Sequence, residues 1–105
     1  MALRRRFSQL IQRQLEMFAQ DQGGLLERIA DARKAYEAAP RDEAEDRFGE
    51  YQAWVADATD VLVELRDSYA STLADEAADE YETAFNRAVR RRFGDLAFAL
   101  EDDEM

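Results

Sequence analysis

The densest group of side chains that could do chemistry is Asp75, Glu76, Asp79 and Glu80. Carboxylates at this density can bind hard cations such as calcium or magnesium through oxygen. On a helix, Asp75/Asp79 and Glu76/Glu80 are like-charged i,i+4 pairs, which repel. A solvated helix face is the plainer reading of such a run. The chain has no histidine and no cysteine. The Glu-x-x-His pairs of carboxylate-bridged di-iron bundles are therefore ruled out. So are thiolate nucleophiles, disulfides and cysteine-ligated clusters. Ser, Thr, Lys and Tyr remain, but no spacing pairs a nucleophile with a base. No glycine-rich phosphate loop or nucleophile elbow occurs. The expectation is a protein that is not an enzyme, with no cofactor and no metal.

Binding chemistry has more to work with. Arg4, Arg5 and Arg6 lie beside Leu3, Phe7, Leu10 and Phe18. A basic amphipathic segment of this kind can lie on an anionic membrane, although arginines on the wet side of a bundle helix explain it as well. A second basic group, Arg90, Arg91 and Arg92, is followed by Phe93, so that Arg-Arg-Arg-Phe occurs twice. Trp54 is either a core anchor or an exposed contact, since tryptophan buries a large area while keeping a polar tip. Near the end of the chain, Leu96, Phe98 and Leu100 alternate with alanine and precede Glu-Asp-Asp-Glu. Such a tail suits docking into a basic groove, and also suits a solubilising end. The candidate partner-binding residues are therefore Arg4, Arg5, Arg6, Trp54, Arg90, Arg91, Arg92, Leu96, Phe98 and Leu100.

Charge limits the partners. The net charge is −10, and residues 21–86 hold 18 acids against six bases. Nucleic acid repels such a chain at long range, so sequence-specific nucleic-acid binding is not expected. No apolar run approaches the roughly 20 residues of a membrane span. Gln9, Gln12 and Gln14 interrupt any signal-like segment. Together with the missing cysteines, this points to a cytoplasmic location, with membrane association the weaker alternative.

These side chains must be positioned by helices. Apolar residues make up 47% of the sequence, with one proline and four glycines. That is too few turn residues for a β-rich domain. Leu3, Phe7, Leu10, Ile11, Leu15, Phe18, Leu25, Leu26, Ile29, Ala32 and Tyr36 recur at steps of three and four, as one helical stripe does. The stripe keeps its phase across Gly23-Gly24, so one helix over about 2–38 is expected, with a bend at the glycines or a close approach of another backbone there. Two shorter helices form the alternative. Pro40 forces a turn near 39–42, and Asp42 with Glu45 has capping-box spacing. Phe48, Tyr51, Val55, Ala58, Leu62, Leu65 and Tyr69 then follow a heptad-like pattern, that of a coiled coil. Beyond Tyr69 the steps change to four. The favoured reading is one helix over about 43–93, with Thr72 and Asp75 marking a break near 70–72 as the alternative. Gly94 reads as the residue after the helix end, preceded by arginines that suit its dipole.

The fold class is all-α. One domain spans 1–94, as an antiparallel helical hairpin or a three-helix arrangement, followed by an apolar-acidic tail at 95–105. A bare hairpin leaves part of each stripe wet, so self-association to a bundle, as a homodimer, is expected. The leading function is a non-enzymatic interaction or scaffold protein, a small accessory subunit of a larger complex. The alternative is a peripheral binder of anionic surfaces through residues 4–6 and 90–92. In a two-helix hairpin those clusters share an end; in an up-down-up bundle they lie at opposite ends.

Overall fold

The computed structural model describes residues 6–103, apart from the side chains of 98, 99 and 101–103. Within them the chain forms five helices and no strand: α1 (Ser8–Asp21), α2 (Gly23–Ala38), α3 (Ala44–Ala70), α4 (Asp75–Arg92) and α5 (Gly94–Asp103). The molecule measures 50 × 28 × 23 Å. Its long axis follows from α3, whose 27 residues span about 40 Å at about 1.5 Å per residue.

The first stripe divides into two helices at Gln22, the residue before the glycine pair. Gln22 has φ −110° and ψ 26°. It still donates to the Phe18 carbonyl (2.8 Å) and accepts from the Leu26 amide (2.9 Å), so the ladder bends there with little loss. No neighbouring backbone explains the glycines: a Cβ built at Gly23 or Gly24 would meet nothing within 4 Å. Ile11, Leu15 and Phe18 of α1 are buried, and so is Ile29 of α2.

At the first turn Ala39 is extended (φ −69°, ψ 140°), as a residue before proline should be. The expected Asp42 cap does not form; α3 starts after Glu43, without a side-chain cap. Glu45 and Asp46 instead place negative charge in the first turn.

The long second helix also breaks, and here the favoured continuous reading is corrected. Ser71 Oγ donates to the Ser68 carbonyl and Thr72 Oγ1 to the Tyr69 carbonyl, each at 2.7 Å. These hydroxyls satisfy carbonyls at the end of α3 and so stabilise an ending there. Ala74 is extended (φ −67°, ψ 156°), and α4 begins at Asp75 with no side-chain cap, so the Thr72 cap is not made. Asp75 and Glu76 open α4 and Arg90, Arg91 and Arg92 close it, matching both ends of its dipole. Gly94 does not end the domain. Phe93 is the terminating residue (φ −132°, ψ 65°) and Gly94 is the first residue of α5. The expected tail is thus a core element, with Leu96, Ala97 and Leu100 buried.

The topology is up-down-up, with α1 and α2 forming the first limb. Antiparallel pairing of α2 and α3 brings Tyr36 to Phe48 and Arg28 over the ring of Trp54. Antiparallel pairing of α3 and α4 brings Arg66 to Asn86 and Tyr69 to Tyr81. Helices α1 and α4 run the same way, since Phe7 packs edge-on against Tyr81 and Phe18 against Phe93. Helix α5 covers α3 and α4. Most of each apolar stripe is thus covered from within one chain, while Tyr36 and Phe48 stay 36% and 38% exposed.

One core position breaks the apolar rule. Arg66 is 3% exposed, one turn beyond fully buried Leu62. It donates to Asp67 Oδ1 (2.9 Å) and Asn86 Oδ1 (3.2 Å). Its long stem fills core volume while its head reaches polar atoms.

Gly23 and Gly24 have open space and no positive φ. Replacing either by alanine reduces the freedom of the unfolded chain without strain. Gly24→Ala is expected to raise stability by about 0.4–1 kcal/mol in thermal or denaturant unfolding; a lower midpoint would show that the bend needs glycine.

Candidate interaction surfaces

Three surface features have the shape and chemistry to engage another molecule. The first is a groove of about 500 Å³ between α1 and α4. Ile11, Ala84 and Ala88 provide its apolar surface, and Ser8, Gln12 and Thr83 line its sides. Asp79 and Glu80 lie toward the start of α4, and Arg87 and Arg91 toward its end. None of these four forms an ion pair among the described residues. One Glu80 carboxylate oxygen is buried without a hydrogen-bond partner. Buried polar atoms are nearly always satisfied, so an orphan carboxylate oxygen marks an incomplete environment.

The second groove, about 680 Å³, lies between α2 and the α4–α5 junction. Leu26, Ile29, Phe93 and Leu96 supply its apolar surface, with Arg33, Lys34, Arg92, Glu37 and Asp95 around it. Its charges are largely used internally. Arg33 binds Asp95 at 3.0 Å and approaches Glu37 at 3.7 Å, and Arg92 binds Glu16 at 3.0 Å. Of its charged residues, Arg33, Glu37, Arg92 and Asp95 are engaged in ion pairs, and Lys34 forms none among the described residues.

The third feature is the tip of the α2–α3 hairpin. Tyr36, Phe48 and Tyr51 pack with ring centroids 4.9–6.5 Å apart, and Tyr36 and Phe48 are 36% and 38% exposed. Such ring pairs stabilise the hairpin end beyond their burial. Burial, and then the charge of Asp95 beside it, hold the Tyr51 phenol above its ordinary value.

The structure separates the residues singled out from sequence. Arg4 and Arg5, and the Phe98 side chain, lie outside the described residues. Arg6 is exposed, with its guanidinium over the Phe7 ring. Arg90 is exposed, and Arg91 lines the first groove. Arg92 is engaged by Glu16 and sits over Phe93. Trp54 is half-buried beneath Arg28. Leu96 and Leu100 are 2% and 0% exposed, so they are core residues and not a free docking peptide. Because α1 and α4 run parallel, Arg6 and Arg92 lie near opposite ends of the pair. The eleven residues from Tyr81 to Arg92 correspond to about 16 Å. No single basic pole forms from them. Of the four carboxylates considered for a cation, Asp79 and Glu80 face the first groove; no group of three or more ligand-type residues able to hold a metal gathers among the described residues. Nor is any described helix long and apolar enough to cross a membrane.

Sequence reasoning missed the buried polar set of Thr59, Arg66 and Asn86. Its signal was the step of four from Ala58 through Leu62 to Arg66 and Ala70, obscured by the charge of arginine. It also missed Tyr81 as a polar hinge between helices. The Tyr81 hydroxyl donates to Gln14 Oε1 of α1 at 2.8 Å, with Phe7, Tyr69 and Phe85 around its ring. Burial pushes its pKa from the ordinary 10.0 up to about 12, and the Gln14 bond opposes part of that rise.

A folded-state pKa above the unfolded value means stability that is complete below pH 10.0 and is lost as pH rises through about 12. Ultraviolet titration is therefore expected to show one phenol ionising only near pH 12, together with loss of helix. Tyr81→Phe should cost about 1 kcal/mol at neutral pH, the worth of its hydrogen bond, and should move the alkaline transition upward. An unchanged alkaline transition would sink this assignment.

No protein-family model, curated protein or solved structure matches this chain.

Proposed function

We propose that this chain is a non-enzymatic helical interaction protein, an accessory subunit that works by presenting a packing surface to another polypeptide. The observation that carries the reading is the α1–α4 groove. It carries an apolar strip of Ile11, Ala84 and Ala88, and its four charges form no ion pair among the described residues, while Arg33 and Arg92 of the second groove are paired within the chain. Unpaired charges flanking an apolar strip provide steering and register for a docking helix.

The reading can be tested with a photoreactive benzophenone side chain placed at Thr83, on the groove, and separately at exposed Asp57 on α3. Irradiation in the native host should give a discrete adduct from position 83 and none from position 57. No adduct, or equal capture at both positions, would remove the groove as the working surface.

The second reading is a binder of anionic surfaces through residues 4–6 and 90–92. It loses support because Arg6 and Arg92 lie toward opposite ends of the parallel α1–α4 pair and Arg92 is already paired with Glu16. Sedimentation with anionic and with neutral vesicles is expected to give equal, low recovery. Preferential recovery with anionic vesicles that falls with added salt would reverse the order of the two readings.

A further inference from the structure

We propose that the groove face of α4 docks on the same face of a second copy of this chain, antiparallel, about a two-fold axis passing between Thr83 and Ala84. The inference deepens the interaction reading above and rests on it.

The charge order along α4 is the main argument. Glu76, Glu80, Thr83, Arg87 and Arg91 follow one another at steps of four, three, four and four, so they share one face. Acids occupy its first half and bases its second. An isologous interface sets residue i against j and j against i. Antiparallel pairing about the stated axis sets Glu80 against the partner's Arg87 and Glu76 against the partner's Arg91. Symmetry repeats both pairs, giving four matched contacts. A parallel arrangement would set like charge on like. The helix dipole accounts for Glu76 and Arg91 near the ends of α4 but not for Glu80 and Arg87 further in, and their order favours a second copy as occupant.

Two structural observations agree. Glu76, Glu80, Arg87 and Arg91 form no ion pair among the described residues. At the axis stand Thr83 and Ala84, small enough for helix axes to approach to about 8–10 Å. The groove beside α4 leaves room for the incoming helix. Helices α1 and α4 with their two copies then make a four-helix assembly. Charge pairs set register and partner choice more than they set strength, so the dimer is reversible and weakened by salt.

The test is sedimentation velocity on the purified full chain across a concentration series at low salt. Wild type should pass from monomer to dimer, and added salt should weaken the dimer. Two charge-reversed chains are then made: Glu76→Lys/Glu80→Lys, which leaves Asp79 as the only acid of the groove face, and Arg87→Glu/Arg91→Glu, whose face is wholly acidic. Each alone should lose at least about tenfold in self-affinity while keeping wild-type helical circular dichroism. Mixed in equal amounts, they should form a one-to-one dimer. That recovery also guards against variants that simply misfold. Wild type that stays monomeric at millimolar concentration overturns the proposal. So does self-association unchanged in either variant, or a mixture that stays monomeric. If wild type is monomeric while the probe at position 83 captures a different protein in cells, this inference fails and the broader interaction reading stands.

Discussion

Everything in this fold hangs on covering α3. It is the longest helix and packs against α2, α4 and α5. Its buried side chains, Ala58, Leu62, Arg66 and Ala70, run at steps of four along one line. A helix about 40 Å long cannot be covered by one shorter neighbour. Helix α2 takes the part around Phe48 to Trp54, and α4 takes the part around Arg66 to Tyr69. Helix α5 fills the space left between them by burying Leu96, Ala97 and Leu100. The two chain breaks, at Gln22 and Ser71–Ala74, let rod-like elements change partner along α3.

The same requirement shapes the surface. Because the core is closed internally, few large apolar side chains remain outside: Met17, Tyr36 and Phe48 among the described residues. The proposed docking would use smaller apolar strips flanked by charge. The two grooves differ in how those charges are spent. Arg33 and Arg92 tie α5 and α4 to their neighbours through Asp95 and Glu16. Glu80, Arg87 and Arg91 form no ion pair among the described residues. Exposed ion pairs contribute little to stability, and under the proposed function the unpaired charges orient an encounter.

Buried polar side chains mark where helices are held in register. Tyr81 links α4 to α1 through Gln14, and Arg66 links α3 to α4 through Asn86. Each such bond contributes about 1 kcal/mol and favours one placement of its two helices along each other. The pairing of α1 with α4 in parallel depends on the first of these contacts together with the Phe7–Tyr81 and Phe18–Phe93 ring pairs.

The sequence by itself determined the helical class, the turn at Pro40 and the dipole-matched arginine end of α4, because each follows from local periodicity, a fixed φ or charge near a helix end. The absence of histidine and cysteine likewise closed off whole branches of chemistry. The breaks at Gln22 and Ser71 were legible only as alternatives, since a stripe that keeps its phase looks the same whether or not the helix is interrupted. Tertiary structure alone decided that residues 94–103 are a core helix, that Arg66 lies inside, and that α1 runs parallel to α4. Those outcomes depend on which surfaces meet, and amphipathic helices carry similar stripes that leave several partners open. The α1–α4 groove was invisible for the same reason: its residues lie about 70 positions apart in the chain and meet only when α3 turns the chain back.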